Sequence, residues 1–215
     1  VKGHLETATL MRAVLSRDAG LRTGRLLSSV GFLQIPTYHK LLGITDTAIN
    51  IQPGLAEKID ILRNALDVLA ALDITMPKVA VLGVVEKVNP SLPDTVDAAA
   101  LKQLYLEGEF TGCVVDGPLS YDLAVSTDSA RMKGFEGSVA GDADLLVFPD
   151  LSTGNTTSKA LVFSGGARVA AVICGARVPI VLTSRSSSAQ EKRFSMALAS
   201  LVATTKTAAK GEVSR

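Results

Sequence analysis

Short apolar runs alternate with stretches of helical period along nearly the whole chain. The runs fall at 30–35, 40–45, 78–85, 112–116, 144–148 and 178–182. Between the second and third, Leu55, Ile59, Leu62, Ala65, Leu66 and Leu69 return at helical spacing behind Pro53, a residue suited to a helix start. Strands separated by helices are joined by crossovers, and crossovers favour parallel pairing. The pattern therefore predicts an α/β fold with a largely parallel sheet. Further helices are predicted at 5–17, 94–107, 155–163, 167–174 and 188–204, and a helical or mixed stretch at 120–133. There is no clear internal repeat.

The 215 residues suffice for one large or two small domains. Aromatic residues are scarce at 4%, with no Trp, so the 47% hydrophobic content is a core of Val, Ala, Leu and Ile. A balance of 22 basic against 21 acidic residues gives no long-range field to attract nucleic acid or an anionic membrane surface. Basic residues matter only where a few converge. Cys113 and Cys174 sit in or beside apolar runs and read as buried small hydrophobes. His4 and His39 have no partner at metal-ligand spacing, so no metal site is expected. No apolar stretch reaches membrane-spanning length and no signal peptide opens the sequence, so the cytoplasm is the expected compartment. Asn155-Thr156-Thr157 matches a glycosylation sequon and is read as chance.

Ligands of such sheets gather at the carboxyl ends of strands. Three segments there carry polar or backbone-permissive residues: Asp116-Gly117-Pro118-Leu119, Pro149-Asp150-Leu151-Ser152-Thr153-Gly154-Asn155, and Thr183-Ser184-Arg185. The last opens into Ser186-Ser187-Ser188 and a helix. The N–H groups of a helix start favour anions, and Arg adds a fork suited to phosphate. A plain N-capping serine run beside a surface Arg is the alternative. No G-x-G-x-x-G, P-loop or nucleophile elbow is present.

In order and spacing, five segments resemble the phosphate acetyltransferase/phosphate butyryltransferase family. They are Val115-Asp116-Gly117-Pro118-Leu119 with Asp122, the run from Gly141 to Pro149-Asp150, Thr153-Gly154-Asn155 with Lys159, Val178-Pro179-Ile180 through Ser184-Arg185, and the upstream pair Leu21 to Ser28 and Asp46-Thr47-Ala48-Ile49-Asn50. The upstream pair is more similar to the butyryl branch. The resemblance implies two α/β domains with a cleft between them, an architecture like that of isocitrate and isopropylmalate dehydrogenases. It makes 25–174 an inserted domain, and 1–24 with 175–215 the incomplete remainder of a discontinuous one. The family's chains carry a further segment ahead of the equivalent of Val1, so the sequence is read as a fragment or as a short homologue.

The activity implied is transfer of a short-chain acyl group, butyryl-like or acetyl, between coenzyme A and inorganic phosphate in a ternary complex. Coenzyme A is then a substrate, with no bound cofactor, and association as a homodimer or larger homo-oligomer is expected. Ser184 matches the family's active-site Ser, a donor to the developing oxyanion or the leaving thiol, and Arg185 its phosphate-binding neighbour. Glu191 stands where the acetyl branch has an Asp, as a base or simply as an acidic residue in a helix's first turn. Ser187 stands where the butyryl branch often has an acidic residue. Arg12 resembles a phosphate-facing Arg, while Asp150, Gly154, Asn155 and Lys159 are expected at the cleft, with Asn155 also able to cap its helix. Asp116 and Asp122 read as loop anchors. A non-catalytic CoA-binding or oligomerisation module is the alternative. A decarboxylating dehydrogenase ranks low, because its metal-binding carboxylates are missing.

Overall fold

The computed structural model describes residues 5–184 and 186–212. Six strands form one sheet: β1 (Ser28–Gln34), β2 (Leu42–Thr45), β3 (Lys78–Leu82), β4 (Val114–Leu119), β5 (Leu145–Val147) and β6 (Arg168–Cys174), in the order β4-β3-β5-β2-β1-β6. β4, β3, β5 and β2 run parallel, while β1 runs antiparallel to both β2 and β6. The reversal has a local cause. The 35–41 connection between β1 and β2 is too short for a crossover helix, so the two strands must pair as a hairpin.

Each strand sends alternate side chains to opposite faces. Val79, Val81, Leu145, Val147, Val30 and Phe32 meet α2 (Leu55–Ala71), α3 (Pro93–Leu106) and α7 (Ala189–Glu212) on one face. Ala80, Leu82, Leu146, Phe148, Leu33 and Ile44 meet α4 (Tyr121–Val125), α5 (Thr127–Met132) and α6 (Leu151–Phe163) on the other. A smaller cluster of Val14, Leu27, Ile173 and Ala176 seats α1 (Thr7–Leu15) near the end of β6. Cys113 and Cys174 are both buried thiols, as their surroundings in the sequence predict.

Three local expectations are corrected. Residues 167–174, expected as a helix, form β6, paired residue for residue with β1 from Ser28↔Cys174 to Gln34↔Arg168. Residues 178–182, expected as a strand, contribute only an isolated bridge between Ile180 and Ile173. Pro179, with no N–H, cannot donate to a ladder there. β4 does not stop at Gly117-Pro118 but runs on to Leu119. A Cβ on Gly117 would lie 2.8 Å from the Val81 carbonyl oxygen, so glycine admits the close strand approach. Pro118 is tolerated because β4 is an edge strand.

Candidate active site

α6 begins where β5 ends. Asp150 Oδ1 accepts the Thr153 N–H at 2.8 Å and caps the helix, a role the sequence had suggested for Asn155. Gly154 then lies against the segment leaving β2. A Cβ there would come within 2.5 Å of the Asp46 carbonyl oxygen and 3.1 Å of the Phe148 ring, so only glycine lets α6 approach so closely. That approach brings Asn155 Nδ2 to 3.0 Å from the Thr47 carbonyl oxygen. Lys159 follows one turn later on the same helix face.

The facing wall is the stretch that leads into α7. Ser188 Oγ accepts the Glu191 N–H at 3.1 Å, and Glu191 Oε2 accepts the Ser188 N–H at 2.7 Å, a reciprocal cap. Ser184 Oγ lies 3.0 Å from Ser186 Oγ and accepts the Ser186 N–H at 3.3 Å. Thr183 is buried, and its hydroxyl has no hydrogen-bond partner among the described residues.

The two walls enclose an open cleft of about 1090 Å³, lined by Thr47, Asn155, Lys159, Thr183, Ser184 and Glu191 among others. Leu151, Val162, Val169 and Leu182 give it an apolar side. Its volume exceeds the roughly 300–1,000 Å³ of ordinary small-molecule sites, so a coenzyme-sized ligand has room. Among the described lining residues Lys159 is the one cation. The cleft can therefore hold a polyanion at one place and offers hydroxyl donors and apolar side chains on both walls.

Of the residues singled out in the sequence, Ser184, Glu191, Asn155 and Lys159 meet in this cleft. Gly154 shapes it from behind. Asp150 caps α6 and faces a second crevice of about 760 Å³, beside Lys58 and Asp97. Arg12 is not brought in: it is exposed on α1, with its guanidinium 3.5 Å from Thr9 Oγ1, while Thr7 of the same helix lines the cleft. Arg185 lies outside the described residues. Asp116 pairs with Lys102 at 2.7 Å. Asp122 accepts from the Ser120 hydroxyl and pairs with Lys133, bonds that hold its carboxyl below the usual range. Neither lines the cleft: Asp116 ties β4 to α3, and Asp122 is engaged at the start of α4.

The loop 46–50, quoted in the sequence as part of the resemblance but given no site role there, completes the α6 wall. The available signal was an Asp directly after an apolar strand with an Asn four residues on, a combination that closes backbone turns. Among the described residues, no group of three or more His, Cys, Asp or Glu could hold a metal ion, and no helix is long and apolar enough to cross a membrane.

The family model for phosphate acetyl/butaryl transferase matches residues 1–200. The chain belongs to that family. It is 48% identical over 199 residues to a probable phosphate butyryltransferase of Bacillus subtilis (strain 168), a match covering 93% of this chain and 67% of that relative. It is 40% identical over 203 residues to the phosphate acetyltransferase of Thermotoga maritima, covering 94% and 69%. The crystal structure of a branched-chain phosphotransacylase from Enterococcus faecalis V583 superimposes with a TM-score of 0.87 at 37% identity, covering 94% of this chain and 72% of that one. The chain thus spans about two thirds of the length of these curated relatives, and the five segments that carry the resemblance all lie within the matched residues.

Proposed function

We propose that this protein is a phosphate acyltransferase that moves a short-chain acyl group, butyryl-like or acetyl, between coenzyme A and inorganic phosphate in a ternary complex. The observation that carries the reading is the convergence of Ser184, Lys159, Asn155 and Glu191 on one coenzyme-sized cleft in a chain of this family. A phosphate oxygen attacks the thioester carbonyl carbon. The C–S bond then breaks, its electron pair stays on sulfur, and the thiolate takes a proton. Lys159 and Arg185 counter the phosphate charge, and the Ser184 hydroxyl donates to the oxyanion or to the leaving sulfur. Glu191 gives the proton in this direction and removes it in the other. Loss of one oxyanion donor typically costs about 100- to 1000-fold in rate. The reading includes an inserted domain at 25–174 with an incomplete discontinuous partner at 1–24 and 175–215, a homodimer or larger assembly, a cytoplasmic setting, and no bound cofactor.

The test is thiol release from butyryl-CoA in the presence of phosphate, with acetyl-CoA in parallel, arsenate to draw the reaction forward, and Arg185→Ala as control. Turnover that is lost in Arg185→Ala is the expected result. A folded protein that binds CoA without turnover would instead be the non-catalytic module.

A further inference from the structure

Asp46 stands at the carboxyl end of β2 and is 3% exposed. Its carboxylate collects six donors. Oδ1 accepts from the Ser29 N–H at 3.2 Å, the Ser29 hydroxyl, the Ala48 N–H at 2.9 Å and the Ile49 N–H at 3.3 Å. Oδ2 accepts from the Asn50 N–H at 3.0 Å and Asn50 Nδ2 at 2.6 Å. No Lys or Arg pairs with it among the described residues. Two oxygens with six donors and no cation are the signature of a carboxylate that organises backbone.

What it organises is the turn 47–50, whose first carbonyl, Thr47, faces α6. The Ala48 N–H of the peptide that carries this carbonyl is the one held by Asp46 Oδ1, and Ser29 Oγ accepts the Thr47 N–H of the preceding peptide at 2.8 Å, so Thr47 is fixed on both its peptide bonds. The Thr47 carbonyl can only accept, so the Asn155 amide must turn its Nδ2 toward it. Asn155 Oδ1 is left as the acceptor of the pair, on a residue that lines the cleft. An acceptor oxygen repels phosphate. It suits an amide N–H or a hydroxyl, the donors that the pantetheine arm of an acyl-CoA carries.

We propose that Asp46 is a positioning residue which, through the Thr47 carbonyl, fixes the Asn155 amide as an acceptor for the N–H or O–H donors of the acyl-CoA, and not as a donor to phosphate. The inference rests on the acyltransferase reading for its substrate. Asp46→Asn places an NH₂ group against Asn50 N–H and Nδ2, two donors, and so loosens the turn. Asn155→Ala removes the acceptor together with the Nδ2 contact to the Thr47 carbonyl, and leaves the Asp46 carboxylate with all six of its donors.

The experiment measures butyryl-CoA affinity by calorimetry and both KM values in the full chain, for the wild type, Asp46→Asn, Asn155→Ala and the double variant. Each single change should weaken butyryl-CoA by about tenfold, the cost of one hydrogen bond, and leave the phosphate KM within about twofold. The double variant should be no weaker than Asn155→Ala alone, because both act through one contact. A rise in the phosphate KM, multiplicative losses in the double variant, or unchanged butyryl-CoA affinity in Asn155→Ala would each overturn the assignment. If Asp46→Asn fails to fold, Asn50→Ala takes its place by removing one donor to the Asp46 carboxylate; it should weaken butyryl-CoA and add nothing to Asn155→Ala, and unchanged affinity or multiplicative losses would overturn the assignment. A wild type that binds butyryl-CoA but does not turn over would sink the acyltransferase reading alone, since the calorimetric comparison still reads the contact.

Discussion

Glu191 and Ser188 cap α7 reciprocally, each accepting the other's backbone N–H, and the same Glu191 carboxylate borders the cleft. Capping and proton transfer make different demands. A cap needs an acceptor oxygen, which glutamine retains; proton transfer needs a titratable group, which glutamine lacks. Glu191→Gln should therefore stay within about 0.5 kcal/mol of the wild type in urea unfolding. Its thiol-release rate should fall by about 100-fold or more. Ser188→Ala should do the reverse, losing about 1 kcal/mol of stability with little change in rate. Full activity in Glu191→Gln would leave Glu191 as a cap only.

Gly154 sits in helical backbone, so a side chain there meets a packing problem and not a conformational one. Alanine would push its Cβ into the Asp46 carbonyl and the Phe148 ring. Overpacking of this kind costs about 1–3 kcal/mol. The structure can respond by moving α6 away from Thr47, which lengthens the Asn155 contact. Gly154→Ala should show a lower urea midpoint at unchanged slope, together with weakened butyryl-CoA binding. A stability within error of the wild type would mean that α6 does not depend on this approach.

The α/β class and the parallel block were legible because the strands between residues 40 and 148 are bounded runs separated by clear helical periods. β6 was not. Arg168-Val169-Ala170-Ala171-Val172-Ile173-Cys174 has no alternation of polar and apolar residues, and its alanines favour a helix in isolation. Pairing with β1 along its full length overrides that preference. At the site, Ser184, Asn155, Lys159 and Glu191, singled out by motif order, line one cleft. The sequence did not show that Asp150 would cap α6, a local contact to the Thr153 N–H, or that Arg12 would lie outside the cleft lining, which depends on how α1 seats against the sheet. Asp46 was visible as part of a segment, but two of its six donors come from Ser29, 17 residues away in the chain.

Asp142 ties together the amino ends of three parallel strands. Its carboxylate pairs with Lys40 at 2.8 Å and Lys78 at 2.6 Å and contacts His39 at 2.7 Å. Burial alone would raise its pKa, but the hydrogen bonds from Lys40, Lys78 and His39 outweigh burial and hold the carboxyl well below the usual range. A depressed folded value means that the extra stability is fully present above the ordinary aspartate range. It is lost as pH falls toward the folded value. Asp142→Asn should therefore unfold at a lower temperature than the wild type at pH 7. The gap should narrow below about pH 4. Thermal unfolding of both proteins at pH 7 and pH 3 checks this; a gap that does not change with pH would show that the contribution is packing and not charge.

Lys58 of α2 reaches Asp97 of α3 at 2.7 Å, with its side chain only 5% exposed. The pair joins the two helices at the crevice beside Asp150. Removing one member of a buried pair leaves the other charge desolvated and alone, and that costs more than the pair itself contributes. Asp97→Ala should therefore lose about 3 kcal/mol, the low end of the range because Asp97 retains some exposure. Lys58→Met should lose less, since the residual carboxylate can still reach water. The double replacement Lys58→Met with Asp97→Leu should regain most of the loss, because both desolvation costs vanish and apolar contact replaces them. Urea unfolding of the three variants tests the ordering. If the double variant is instead the least stable, the pair supplies net stability across the α2–α3 contact, and the crevice beside it owes its shape to that ionic bridge.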